Sequence, residues 1–186
     1  MKNICQRLLI AAAIFTTALP LLAREPKTEQ QLITELDSSK EKVVFAALQD
    51  LEKQYPTSAP ALAKIKVLLT DPRPLVHQKA ARVLGALHAE VSSTDLDNIA
   101  KMLDSADKKE IMEGLKALRG LKAQSVIPKI VAQLKNADAN VKRDACRTLA
   151  VIGSKSNVSD IEPLLQDPDK AVVKDANDAI FTLKAK

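Results

Sequence analysis

The stretch that decides the fold is DPRPLVHQKAARVLGAL, from Asp71 to Leu87, because a near copy follows it, NADANVKRDACRTLAVIG, from Asn136 to Gly153. In the first copy Val76, Ala80 and Leu84 stand four residues apart, which places them on one face of an α-helix. The second copy has the same three residue types at the same offsets. Because one such unit cannot bury its apolar face alone, the repetition predicts a stacked array.

The repeat extends well beyond these two copies. A column of small residues recurs at spacings of 33, 34, 31 and 31 residues: Ala47, Ala80, Gly114, Ala145 and Ala176. A column four residues later keeps the same steps: Leu51, Leu84, Leu118, Leu149 and Ile180. Two further columns share the last three steps: Ile65, Ile99, Ile130 and Ile161, and Leu69, Leu103, Leu134 and Leu165. Independent columns with one set of steps indicate a true structural repeat.

Each unit contains two helical patterns, and strand signals are weak. Aromatic residues make up 2% of the chain, four glycines occur, and no apolar–polar alternation is sustained. The sequence therefore predicts an all-α fold, an alpha-alpha superhelix of about five helix pairs. The predicted pairs span roughly residues 28–55, 57–89, 92–121, 123–153 and 155–186. Capping boxes are predicted at Thr28 with Gln31, Ser38 with Glu41, and Ser159 with Glu162.

One column tests the stacked arrangement. The residue after each small residue lies on the flank of the second helix: Leu48, Ala81, Leu115, Cys146 and Asn177. If this flank packs on the next unit, it must be apolar except in the last unit. The polar residue does fall in the last unit, as a terminal unit with a polar outer face requires.

The pattern resembles the HEAT-like repeats named after phycobilisome lyases, most clearly in the stretch from Asp71 to Leu87. This resemblance implies an α–α solenoid that mostly binds proteins and in a few members is an enzyme. The family often places Arg directly after the Val of the second helix. Here that position holds His77, Ile111, Lys142 and Val173, so only Lys142 keeps the charge.

The first 23 residues have the layout of a secretory signal peptide. Lys2 and Arg7 precede an apolar run from Leu8 to Leu19, and the segment ends at Ala23. The alternative, an uncleaved anchor, is less favoured because the run is shorter than the about 20 residues of a membrane-spanning helix. We therefore expect a signal peptide over 1–23, a HEAT-like repeat domain over 24–186, and a periplasmic or secreted protein. Cleavage lowers the formal net charge from +5 to +3.

The sequence predicts no catalytic residue, metal site or cofactor. His77 and His88 lie eleven residues apart on one helix, too far apart to bind one metal ion together. Cys146 shares its column with Leu48, Ala81 and Leu115, which predicts a buried structural thiol rather than a nucleophile.

The exposed side of the second helices carries cations at repeated positions. A turn of about 100° per residue away from the core column places one residue of each second helix outward: Gln49, Arg82, Lys116, Arg147 and Asp178. Arg119 and Arg143 flank this column. Second helices line the concave binding face in solenoids of this type. We therefore predict a concave binding site, called the basic stripe below, formed by Arg82, Lys116, Arg119, Arg143 and Arg147.

The alternative for the basic stripe is an ordinary solvated helix surface. Glu113 stands three residues before Lys116, and Asp144 three before Arg147. Such pairs stabilise helices by only about 0.2–0.5 kcal/mol each and need no ligand.

The sequence favours an exported, non-enzymatic binding module or scaffold for a protein partner. If the basic stripe is the binding site, the partner has an acidic surface. A lyase-like enzyme acting on a tetrapyrrole adduct is the alternative that the resemblance implies. Nucleic-acid binding comes third, because export and a net charge of +3 both argue against it. No membrane span is expected once the signal peptide is removed.

Export generates the first testable prediction. The protein isolated from cells that express the full chain should begin near Arg24, because signal peptidase cuts after Ala23. N-terminal sequencing of that protein is the measurement. An intact Met1 on a protein recovered from the cytoplasm would contradict the predicted localisation.

Overall fold

Ten α-helices and no β-strand occur in residues 26–186, the part of the chain that this computed structural model describes. The five first helices are α1 (Glu29–Glu35), α3 (Ala59–Val67), α5 (Ser93–Lys101), α7 (Ile127–Ala132) and α9 (Val158–Ile161). The five second helices are α2 (Glu41–Gln54), α4 (Pro74–Ala86), α6 (Lys108–Gly120), α8 (Ala139–Ile152) and α10 (Lys170–Lys184). The predicted five helix pairs are confirmed, whereas the predicted signal peptide lies outside the described residues.

The helices form two layers. Each second helix packs against the second helix of the next unit, from α2 through α4, α6 and α8 to α10. Each first helix packs against the second helix of its own unit. This arrangement is the predicted alpha-alpha superhelix. Within residues 26–186, no helix combines the length and apolar character that crossing a bilayer requires.

The turns within the units begin with short 3₁₀ segments. Four first helices continue as such segments, at Leu68–Thr70, Met102–Asp104, Gln133–Lys135 and Glu162–Gln166. The chain then turns, and an aspartate caps the next second helix in three units. Asp107, Asp138 and Asp169 each accept a hydrogen bond from the backbone N–H two residues later.

The predicted helix caps are right at one position and wrong at two. Thr28 and Gln31 form the predicted capping box at α1. Ser38 lies too far before α2 to cap it. Its hydroxyl accepts a hydrogen bond from the backbone N–H of Lys40, and α2 begins only at the next residue. Ser159 lies inside α9. Capping boxes form instead at Ser92–Asp95 and Ser154–Asn157, where the third residue is shorter than the Glu or Gln of the usual pattern.

The predicted columns form one continuous core. The small residues and the leucine column that follows them are buried in all five units. The flank residues Leu48, Ala81, Leu115 and Cys146 have no exposed surface, whereas Asn177 in the last unit is exposed. The predicted packing of each flank on the next unit is therefore confirmed.

The last unit departs from one predicted column. Leu69, Leu103 and Leu134 are buried, but Leu165 is only partly buried and Leu164 takes the core position. The 3₁₀ segment of this unit is five residues long, whereas those of the other units have three. Because 3₁₀ geometry turns 120° per residue instead of 100°, the longer segment changes which side chain faces inward.

The second helices α4 and α6 approach each other most closely at two glycines. A Cβ atom on Gly120 would lie 2.2 Å from the carbonyl oxygen of Gly85, and one on Gly85 would lie 2.7 Å from the Cα atom of Ala117. Both distances are below any van der Waals contact, and the atoms met are backbone atoms that cannot move independently. Glycine is therefore required at both positions by packing.

This close approach predicts that Gly120→Ala destabilises the protein by about 1–3 kcal/mol, the usual range for overpacking. Gly114→Ala is the matched control. Its Cβ would come nearest to two side-chain atoms, Met102 Cβ at 3.1 Å and Leu103 Cδ2 at 3.3 Å, and the nearest backbone atom, the oxygen of Ile99, lies at an ordinary contact distance of 3.6 Å. Alanine also gains about 1 kcal/mol in helix propensity. Urea denaturation should therefore show a much smaller change for Gly114→Ala. Equal midpoints for Gly120→Ala and the natural chain would contradict the packing.

Candidate functional site

The basic stripe lies on the three central second helices. Arg82 is on α4, Lys116 and Arg119 are on α6, and Arg143 and Arg147 are on α8. We call the outward surface of α2, α4, α6, α8 and α10 the second-helix face. The Arg82 and Arg147 side chains are 58% and 47% exposed, so both groups reach solvent from this face.

Glu113 joins the stripe residues of the first two helices. Its Oε1 atom accepts a hydrogen bond from Lys116 Nζ at 2.9 Å, as the three-residue spacing predicts. Its Oε2 atom lies 3.7 Å from a guanidinium nitrogen of Arg82 and accepts no hydrogen bond. The carboxylate therefore neutralises Lys116 and holds Arg82 only loosely.

Asp175 joins the stripe residues of α8 to α10. Its Oδ2 atom accepts a hydrogen bond from Arg143 Nε at 2.7 Å and forms an ion pair with a guanidinium nitrogen of Arg147 at 2.9 Å. This hydrogen bond raises the pKa of the Arg143 guanidinium. Asp144 adds a longer contact to Arg147, at 3.5 Å. Because Asp144 and Asp175 are each only 7% exposed, these pairs are held against the protein body rather than free in solvent.

The five stripe residues thus form two clusters rather than one continuous site. Arg82 and Lys116 meet at Glu113, and Arg143 and Arg147 meet at Asp175. Arg119 is partly buried and has no ion-pair partner among the described residues. The outward column is therefore interrupted by the protein's own acids, and Arg82 is its one cation that is both exposed and only loosely paired.

A groove that the sequence analysis did not identify lies next to Arg82. It encloses about 220 Å³ over the first turns of α2, α4 and α6. We call it the N-terminal groove. Three cations and one acid are in its lining, which consists of Phe45, Leu75, Gln78, Lys79, Arg82, Lys109, Met112 and Glu113. The sequence signal for Leu75 was its spacing of seven residues from the outward residue Arg82. That spacing places an apolar side chain on the exposed side.

Polar side chains also connect the units at their turns. The ring nitrogens of His77 lie 3.0 Å from the carbonyl oxygen of Asp71 and 2.8 Å from Glu110 Oε1 in the next unit. Lys142, at the equivalent position of the fourth unit, pairs with Asp167 of the fifth, and this bond lowers the pKa of the Asp167 carboxyl. The column in which the family often has Arg therefore still links two pairs of units.

Comparison with known proteins agrees with the repeat fold. Residues 96–180 match the family model of HEAT repeats. No curated protein sequence matches the chain.

Solved structures with the same fold extend the likeness to most of the chain. The complex of CpcE and CpcF of phycocyanin lyase from Nostoc sp. PCC7120 aligns with a TM-score of 0.74 at 19% identity, over 91% of this chain and 70% of that one. Computationally designed armadillo repeat proteins for modular peptide recognition align with a TM-score of 0.59 at 19% identity, over 82% of this chain and 80% of that one. The designed armadillo repeat protein YIII(Dq)4CqI gives 0.56 at 20% identity, with the same coverage. At these identities the likeness shows the fold.

Both histidines link the second unit to the third. In addition to the contacts of His77, the His88 ring nitrogen Nδ1 lies 2.7 Å from the carbonyl oxygen of Gly120. His88 adopts a left-handed backbone conformation with φ of 50°, which ends the second helix of its unit. Among residues 26–186, no three His, Cys, Asp or Glu side chains form a group that could hold a metal ion.

Cys146 is a buried side chain of the unit interface, as its column predicts. It has no exposed surface, and burial raises the pKa of its thiol to about 12, with a further contribution from the negative charge of Asp175. A thiol with such a pKa is almost entirely protonated at neutral pH and is a poor nucleophile.

This environment predicts slow reaction of Cys146 with thiol reagents in the native chain and fast reaction in denaturant. The chain should begin at Arg24, so that Cys5 is absent from the assay. Cys146→Ser should lower the free energy of unfolding by about 1–3 kcal/mol, because a buried hydroxyl would be imperfectly paired. Labelling of the native chain at the denatured rate would place the thiol on the surface.

Proposed function

We propose that the chain is an exported, non-enzymatic binding module that holds a protein partner on its second-helix face. The observation that carries this proposal is the set of exposed or partly exposed cations of α6 and α8 that buried or partly buried acids hold in place. Glu113, Asp144 and Asp175 fix the directions of Lys116, Arg143 and Arg147 before any ligand arrives. Side chains that are ordered in advance lose less entropy on binding, which favours recognition.

The structural neighbours support a binding role. Designed armadillo repeat proteins with this fold serve modular peptide recognition, and CpcE forms a complex with CpcF. A solenoid of packed helix pairs offers an extended surface whose side chains repeat at regular intervals, and this is the property that such proteins use.

The reactive side chains of the chain support the non-enzymatic part of the proposal. Cys146 is buried and protonated, and both ring nitrogens of His77 are already bonded within the fold. The N-terminal pattern of Lys2, Arg7 and the apolar run supports export. The partner would then be a protein of the periplasm or the extracellular space.

A lyase-like activity is the second candidate. The observation in its favour is the fold that the chain shares with the phycocyanin lyase proteins CpcE and CpcF. It would require a group that contacts the tetrapyrrole adduct, and a spectroscopic assay of tetrapyrrole attachment to an acceptor protein would detect it directly.

The binding proposal predicts that the variant Arg82→Gln/Lys116→Gln/Arg147→Gln binds its partner at least about tenfold more weakly at low salt, because charge complementarity across the interface is lost. Glutamine is preferred to glutamate, since a new carboxylate beside Asp144 or Asp175 would disturb folding. The partner is first captured from a periplasmic extract on the immobilised chain, and its affinity for each variant is then measured by calorimetry.

The matched control is Lys64→Gln/Lys101→Gln/Lys129→Gln. It removes the same number of cations from the first helices α3, α5 and α7. This control should bind normally. Equal losses in both variants would indicate a nonspecific effect of net charge, and unchanged binding by the first variant would remove the basic stripe from the proposed site.

A further inference from the structure

The N-terminal groove combines exposed apolar surface with a cavity. Phe45 and Leu75 are 40% and 53% exposed, and both line this one groove together with Met112. Large apolar side chains are otherwise well covered, since only three others are exposed among residues 26–186: Val67, Val151 and Phe181. Two exposed apolar side chains from neighbouring helices that meet over a cavity are a feature of binding grooves rather than of ordinary solvated surface.

Three cations surround the apolar part of the groove: Lys79, Arg82 and Lys109. Acidic side chains of the protein do not neutralise all three. Lys79 Nζ donates to Glu52 at 2.7 Å and lies 5.7 Å from the centroid of the Phe45 ring. Lys109 has no ion-pair partner within the described part of the chain. The groove is therefore positively charged at the side formed by α4 and α6.

Arg82 is available to a ligand. Its side chain is 58% exposed, and its nearest acidic atom, Glu113 Oε2, is 3.7 Å away and forms no hydrogen bond with it. Glu113 is already bonded to Lys116 through its other oxygen. The donors of Arg82 can therefore bind a carboxylate in the bidentate geometry that arginine favours.

We propose that the N-terminal groove binds an extended segment of a protein partner in which an acidic side chain stands beside a bulky apolar one. The apolar side chain contacts Phe45, Leu75 and Met112, and the carboxylate accepts hydrogen bonds from Arg82 and Lys109. This inference rests on the proposed function and gives it a location and a ligand chemistry.

The distribution of charge favours a short acidic–apolar segment over a nucleic acid. A phosphate backbone would need free cations along the whole second-helix face. Beyond the groove, however, Arg143 and Arg147 are bonded to Asp175, and Lys174 is bonded to Asp178. The cations of α8 are thus paired with the protein's own acids, whereas Arg82 and Lys109 are available in the groove, whose volume of about 220 Å³ suits one or two side chains.

The test uses the peptide Ac-Gly-Glu-Leu-Trp-Gly-amide as a probe. Because the chain contains no tryptophan, the indole fluorescence of the peptide reports its binding directly. Two reference peptides replace Glu by Gln or by Lys. The Glu peptide should bind at least about tenfold more tightly than the Gln peptide, and the Lys peptide should bind most weakly. NMR shift changes should centre on the amides of Phe45, Leu75 and Lys109.

The variants separate the groove from other apolar surface. Phe45→Ala/Leu75→Ala and, separately, Lys109→Gln should each weaken binding of the Glu peptide by about tenfold. Val151→Ala/Phe181→Ala removes two exposed apolar side chains from α8 and α10 and should bind normally. Thermal melts should be alike for all three, since the changed side chains are exposed.

Several outcomes would overturn the inference. Equal affinities for the three peptides, shift changes centred on α8 and α10, or no binding at about 1 mM peptide would each exclude this ligand chemistry. Concentration-dependent dimerisation that Phe45→Ala/Leu75→Ala abolishes would instead make a second copy the occupant. If the peptides fail but the Arg82/Lys116/Arg147 variant still weakens the captured partner, only this inference falls; if both fail, the proposed function falls with it.

Discussion

The packing of each second helix on the next determines the rest of the structure. One side chain per unit, at Leu48, Ala81, Leu115 and Cys146, lies between adjacent second helices and has no exposed surface. A single helix pair has too little apolar area to bury these groups by itself, so no unit is stable alone. The array ends where the column becomes polar, at Asn177, which is exposed. At Gly85 and Gly120 the helices come so close that no Cβ atom fits.

This packing also fixes the surface on which a partner would bind. Because the second helices cannot slide past one another, the side chains on their outer side keep constant relative positions. The acidic side chains near this surface pair with some of its cations and leave others available. Asp144 and Asp175 bind the cations of α8, whereas Arg82 and Lys109 at the other end have weak or no acidic partners. Charge that looks uniform in the sequence is therefore available to a ligand mainly over α4 and the start of α6.

The sequence predicts the two helix layers because each unit must bury side chains at the same positions. The columns through Ala80 and Leu84 show these positions, since they hold small or apolar residues in every unit. It also predicts Cys146 as buried from the types of its equivalents. It does not predict Leu164 in place of Leu165, since that depends on the local 3₁₀ geometry. The N-terminal groove was missed for a different reason. It depends on how Phe45, Leu75 and Met112 from three helices meet, and no single helical pattern contains that information.

The central claim, one continuous core shared by all units, is tested most directly by native-state hydrogen exchange of Leu115→Ala. Leu115 is fully buried in α6, and its truncation should cost about 2–5 kcal/mol. If the core is shared, protection should fall in α6 and also in α4 and α8, which pack on both of its sides. A loss of protection confined to the helices of the third unit, α5 and α6, would show that the units are stable independently and would contradict the account.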